Sequence, residues 1–226
     1  MSQENLIIGI DAINIRAGGG ITHLRELLNN ADPSLDNFKK IVLWASTDTL
    51  KKIDDKPWID KISISVNTFI SRTLWQSLKL SKHAKYKNCD VLFIPGSSFV
   101  TSYRPIVTMN HNLLPFQFKE ILKHGFSLQT LRLLALSYTQ SRSFKRANGI
   151  IFLTKNAKDI VQKKLKGNSS MSKVIHHGIN PEFFFKPSVA KDIRDYKKKA
   201  PFSIISVNAV EPYKHFRELI ESIKLL

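Results

Sequence analysis

Gly18-Gly19-Gly20-Ile21-Thr22-His23-Leu24 joins a candidate strand to a candidate helix. It follows an apolar run, residues 6–12 (LIIGIDA), and precedes a helical pattern over residues 23–30 with Leu24, Leu27 and Leu28 at helical spacing. A strand, a glycine turn and a helix N-terminus in that order form a place for an anion. The first N–H groups of the helix are unpaired, the helix dipole adds partial positive charge, and glycine lets backbone approach a ligand without a Cβ in the way. A plain flexible turn would have the same composition, so the remaining stretches decide between the two.

Working outward, strands alternate with helices along most of the 226 residues. Residues 41–45 and 62–66 read as strands, the first followed by a short helix over 46–52 that Ser46 or Thr47 can cap. Residues 70–86 read as one long basic helix with Leu74, Ser77, Leu78 and Ala84 on or near one face. Residues 91–95 and 105–109 are further strands, ending at Gly96-Ser97-Ser98 and Asn110-His111-Asn112. A helix over 127–147 carries Leu131, Leu134, Ala135, Leu136 and Tyr138; a strand over 150–153 then leads to Thr154, which caps a helix over 155–166. A turn at 167–170 and a strand over 173–175 lead to His176-His177-Gly178. This alternation predicts an α/β fold, a doubly wound parallel sheet with helices on both faces. Ligands of such sheets sit at strand C-termini, and Gly18–Gly20, Gly96–Ser98, Asn110–Asn112, Thr154 and His176–Gly178 all fall there, where they can converge on one crevice.

The C-terminal part differs. Residues 181–200 carry Phe183-Phe184-Phe185 and Lys197-Lys198-Lys199 and read as a linker; residues 202–207 begin a fresh strand and 213–226 an amphipathic helix. The expected organisation is a first domain over 1–180, the linker over 181–200, and the first βα unit of a second, truncated domain over 201–226. One βα unit cannot bury its own faces, so the chain reads as a truncated form or fragment of a two-domain protein.

Composition narrows the function classes. Lys and Arg number 35 against 18 acids, a formal charge of +17, which favours anionic partners: nucleotide diphosphates, nucleic acid or an anionic membrane leaflet. The one cysteine, Cys89, excludes a disulfide within the chain and points to a reducing compartment, with Cys89 itself a packing residue at a strand start. No segment reaches the roughly 18 apolar residues of a membrane span, and the polar N-terminus is no signal peptide. The expectation is a cytoplasmic protein with peripheral contact at the inner face of the membrane. A dinucleotide-dependent oxidoreductase would need G-x-G-x-x-G and an acid closing the second strand, whereas the loop reads GGGITH and Asp48 is displaced. A basic non-catalytic module binding membrane or nucleic acid is the alternative, although no nucleic-acid motif is present and no nucleic acid is expected.

Five stretches in order, AGGGITHLRELL, VTMNHNLLPF, IIFLTKNAKDIV, VIHHGINPEFF and SIISVNAVEPYKHFRELIESI, resemble the retaining glycosyltransferases of family 4, which have the GT-B fold. The resemblance implies two Rossmann-like domains around a cleft. It implies transfer of a mannose-, glucose- or galactose-like hexose from a nucleotide diphosphate sugar to a glycan or lipid-linked acceptor, in polysaccharide or lipopolysaccharide biosynthesis. It assigns His111 to catalysis, Gly18, Gly19, Gly20 and Lys214 to the donor diphosphate, and Asn112 and Thr154 to the acceptor side. It implies no metal and no cofactor beyond the nucleotide sugar. Asn208 stands where many members carry an arginine six positions before the lysine. Their paired glutamates eight apart have no counterpart up to residue 226, and Glu211 and Glu218 are not that pair. His176 and His177 read as structural.

Overall fold

The structure, a computed structural model, describes residues 6–166, 170–187, 189, 192–197, 202–207 and 214–225. The readings made at residues 1–5, 167–169, 198–201, Asn208, Glu211 and Tyr213 lie outside these residues. Among the described residues seven strands form one sheet: β1 (Leu6–Asp11), β2 (Phe38–Ala45), β3 (Ile59–Ser63), β4 (Val91–Ile94), β5 (Ile106–Asn110), β6 (Gly149–Phe152) and β7 (Met171–Val174). Their order is β3-β2-β1-β4-β5-β6-β7, and every neighbouring pair is parallel. The helices between them are α1 (Gly19–Asn30), α2 (Thr47–Leu50), α3 (Phe69–Trp75), α4 (Ser81–Tyr86), α5 (Phe118–Leu122), α6 (Leu128–Arg146) and α7 (Lys155–Leu165), with α8 (Phe216–Ile223) after the sheet. The α/β, Rossmann-like doubly wound sheet expected from the alternation is the fold of this chain.

Two cores lie on the two faces of that sheet, and β2 shows how one strand feeds both. Ile41, Leu43 and Ala45 pack with Leu24 and Leu28 of α1, while Val42 and Trp44 point the other way into the core shared with α3, α4, α6 and α7. All five are buried, as a central parallel strand requires. Gly9 of β1 sits where Leu92, Trp44 and Cys89 crowd the sheet: a Cβ there would meet Leu92 Cδ2 at 2.5 Å and Trp44 Cζ3 at 2.9 Å. Cys89 is one of these packing groups, and burial pushes its thiol up to about 11, so it stays protonated and unreactive.

Several boundaries differ from the sequence reading. The first helix begins at Gly19, not His23; only Gly18 keeps a positive φ, at 65°, as its N-cap residue. Burial of Ile21 one turn ahead of Leu24 draws the glycines into the helix. The third strand is 59–63 rather than 62–66, because its ladder with β2 runs from Ile41↔Ile59 to Ala45↔Ser63 and ends where β2 ends. The long helix expected over 70–86 is continuous but contains a π segment, Gln76–Leu80, between α3 and α4. That wider turn shifts the inward phase by one residue. Trp75, Gln76, Leu80 and Ala84 face the interior, and Leu74 and Leu78 are exposed. On α6 the buried set is Leu133, Ser137, Gln140, Ser143 and Phe144, whereas Leu131, Leu134 and Tyr138 are exposed. Residues 202–207 are exposed and form no strand among the described residues.

Asp11 closes β1 and is fully buried. Its Oδ1 accepts from the Ile13 N–H at 3.2 Å and its Oδ2 from the Gln76 amide, a short bond across to the π segment. Desolvation dominates these bonds and raises the carboxyl from 3.8 to about 6. A raised folded-state value means that stability is complete at low pH and falls as pH rises through about 6. Asp11→Asn should therefore raise the melting temperature at pH 7, by up to about 3 kcal/mol of stability, with the gain fading as pH is lowered to about 4. Thermal melts of the two proteins across pH 4–7 check this. Gly9→Ala should cost about 1–3 kcal/mol in urea unfolding, since Leu92 and Trp44 must shift to admit the methyl group.

Candidate active site

The sheet order reverses between β1 and β4. The loops leaving these two strands diverge to opposite sides and leave a crevice, which here becomes a cleft of about 1380 Å3. Its walls come from the C-terminal ends of the strands: Asn14 to Ala17 after β1, Pro95 to Ser97 after β4, His111 and Asn112 after β5, Leu153 after β6, and Ile175 to Pro181 after β7. Gln140 of α6 closes one side and the first turns of α1 another.

The α1 N-terminus enters this cleft bare. No side chain caps it and no acid stands in its first turn, while Gly19 and Gly20 line the wall. Gly18 holds φ 65° and ψ −156°, a conformation in effect reserved for glycine, and this aims the turn. The positive end of the helix dipole therefore faces the cavity. Arg16 lines the same wall, its guanidinium bonded to the Val66 carbonyl. Arg72 donates to Asn14 Oδ1 at 3.2 Å; burial, and then the nearby Arg16, hold its own pKa below normal. The Arg16 guanidinium and a helix N-terminus make this end of the cleft an anion-attracting wall, with Arg72 bonded to its Asn14.

The cleft also holds a cluster of imidazoles. Asn110, buried at the end of β5, donates to the Asn112 carbonyl at 3.2 Å, and Asn112 Oδ1 accepts from the Leu114 N–H at 2.9 Å. This braced loop presents His111. The His23 ring stands edge-on to it with centroids 5.6 Å apart, and His177 packs 4.6 Å from His23 and 6.2 Å from His111. Although the His111 ring meets solvent, the surrounding protein, helped by the charges His23 and His177 would carry, pushes it down to about 4. Burial first, and then His177, lower His23 as well. His111 is thus a neutral imidazole near pH 7, able to donate one hydrogen bond and accept another. His23 Nε2 and Gln140 Oε1 are buried at the cleft without a hydrogen-bond partner among the described residues. Polar atoms left so are the ones a ligand would satisfy.

Of the residues singled out from sequence, Gly19, Gly20, His111 and Asn112 line the cleft, and Gly18 shapes it from just outside. Thr154 caps α7, accepting from the Ala157 N–H at 3.0 Å, and does not reach the cavity wall. Lys214 is exposed and lies outside the walls. The two adjacent histidines after β7 part company. His176 Nδ1 bonds the Leu153 carbonyl at 2.8 Å and fastens the chain to the end of β6, whereas His177 joins the imidazole cluster. Arg16, His23, His177 and Gln140 were missed. Arg16 gives a sequence signal, a base two residues before the glycines; His23 and Gln140 look like ordinary helix positions until the sheet brings them together.

The profile of Glycosyltransferase Family 4 matches residues 17–183. No curated protein matches the chain in sequence. Among solved structures it is similar to sucrose-phosphate synthase from Thermosynechococcus elongatus, with a TM-score of 0.56 and 12% identity over 80% of this chain and 50% of that one. This chain spans about half the length of that protein, and at such identity the likeness speaks to the fold.

An NMR titration of the ring protons should give His111 a midpoint near 4 and His23 one below 6.5. His23→Asn should raise the His111 midpoint toward the ordinary value, since it removes a neighbour that opposes protonation.

Proposed function

Because this chain belongs to glycosyltransferase family 4, we propose that it supplies the acceptor-side half of an enzyme that moves a hexose from a nucleotide diphosphate sugar to a glycan or lipid-linked acceptor, with retention at the anomeric carbon. The observation that carries this reading is the convergence of the bare α1 N-terminus and Arg16 with the His23–His111–His177 cluster in one cleft. The reading takes residues 1–180 as the acceptor domain, 181–200 as linker and 201–226 as the start of the donor domain.

As the bond to the sugar breaks, negative charge grows on the leaving diphosphate. The amides of Gly19 and Gly20, the helix dipole and Arg16 stand ready to stabilise it without reorganising. Lys214 is assigned to the same diphosphate from the donor side. His111, neutral, hydrogen-bonds a hydroxyl of the transferred sugar or the acceptor and does not add a charge that would oppose the positive character building at the anomeric carbon. Asn112 and Gln140 sit within reach of the same floor and orient hydroxyls. We assign no metal and no further cofactor.

An apolar groove of about 530 Å3, lined by Ile10, Phe93, Val107, Met109 and Ile151, opens beside the cleft and shares His23, His176 and His177 with it. It supports an acceptor with an apolar part, and the +17 charge supports work at an anionic leaflet, in polysaccharide or lipopolysaccharide synthesis on the cytoplasmic side. Among the described residues no helix is long and apolar enough to cross a membrane.

Nucleotide diphosphate sugars should shift the ring resonances of His23, His111 and His177, and Arg16→Ala should weaken that binding roughly tenfold. A panel of uridine and guanosine diphosphate sugars that moves none of the three removes the reading. The 226-residue chain by itself should release little or no nucleoside diphosphate; in a protein that carries a complete donor domain, turnover unaffected by His111→Ala would sink the assignment of that residue.

A further inference from the structure

Two short steps beyond His111 the chain forms a surface that the transfer chemistry does not use. Phe118 and Leu122 of α5, Phe126 of the connecting turn, and Leu128, Leu131 and Tyr138 of α6 are all more than half exposed, and Phe126 is entirely so. On α6 these positions form one stripe, because 128, 131, 135 and 138 recur at three- and four-residue steps. The same stripe continues as Arg142 and Lys145, both exposed. Its character changes along the helix from apolar at the N-terminal half to basic at the C-terminal half. Residues 117–146 hold six Lys and Arg against one acid, Glu120, which is paired with Lys123 at 2.9 Å. The opposite side of α6 is already spent on the interior through Leu133, Ser137 and Phe144.

A contiguous apolar ridge of this size marks an interaction surface. Its charge selects the occupant. A second copy of this chain brings the same positive charge to the contact, whereas an anionic lipid surface offers both phosphates for Arg142 and Lys145 and an acyl boundary for the rings. We propose that the α5–α6 ridge docks the protein on an anionic bilayer, with Phe126, Leu128 and Leu131 inserted at the headgroup boundary and Arg142 and Lys145 on the lipid phosphates. This rests on the reading of a lipid-side acceptor and names the surface that meets the lipid. Gln140, on the opposite side of the same helix, lines the cleft.

Flotation of the chain with vesicles of phosphatidylcholine alone, or with about one third phosphatidylglycerol, tests it without any sugar nucleotide. The chain should bind the anionic vesicles and not the neutral ones. Phe126→Ser with Leu131→Ser should weaken binding about tenfold or more, and Arg142→Glu with Lys145→Glu similarly. Lys82→Glu with Lys85→Glu, on exposed positions of α4, should change it by less than about twofold. All these positions are exposed, and unchanged thermal melts establish that the variants are folded. The proposal is overturned if the serine pair binds as the parent does, or if the α4 pair weakens binding as much as the ridge pair, since adsorption is then by net charge alone. It is equally overturned if the serine pair converts a dimer to a monomer without altering flotation. Loss of vesicle binding with intact sugar-nucleotide shifts at His111, or the reverse, separates this proposal from the transfer reading.

Discussion

All seven strands point the same way, and much else in the molecule depends on that constraint. A parallel sheet sends every strand C-terminus to one edge, and a reversal of winding direction between β1 and β4 opens that edge in one place only. The residues gathered there, from Arg16 to His177, are spread over most of the sequence. The sheet can close tightly enough to hold them because Gly9 leaves room for Trp44 and Leu92 to meet across β1. The buried Asp11 then ties the end of that strand to a helix that follows two strands later.

The cleft is electrostatically divided. Its positive character comes from Arg16, the nearby Arg72 and the bare helix end, while burial holds the pKa values of His23 and His111 down. Fixed charge and fixed dipoles thus stand on the wall where a diphosphate would lie. Groups that can give or take a hydrogen bond without changing charge stand on the floor where a sugar would lie. On the proposed reading, a floor that stays neutral would not oppose a sugar acquiring positive character.

The fold was legible because buried parallel strands announce themselves as short apolar runs, and LIIGIDA, IVLWA and VLFI are three such runs. The glycine stretch and His111 were legible because chemistry at strand ends is placed by topology. What escaped had physical reasons. The π segment leaves no mark in composition, so Leu74 and Leu78 looked like core although the phase shift turns them outward. The α6 pattern carries apolar residues on both sides, and only packing tells that Leu133 and Phe144 face inward while Leu128 and Leu131 do not. His23 and His177 lie more than 150 residues apart, and no local pattern reveals that their rings touch.

The π segment carries one more consequence, for the comparison of sequences. A helix that widens for a single turn behaves as two registers spliced together. Upstream numbering delivers Gln76 to Asp11; downstream numbering delivers Leu80 and Ala84 to the core. A homologue lacking the extra residue would align with a one-position gap inside an uninterrupted helix, where gaps are usually penalised most heavily. Forcing the gap into a flanking loop would mispair every residue of one half. In this helix the boundary between registers, not the helix ends, is the place where an alignment must be allowed to slip.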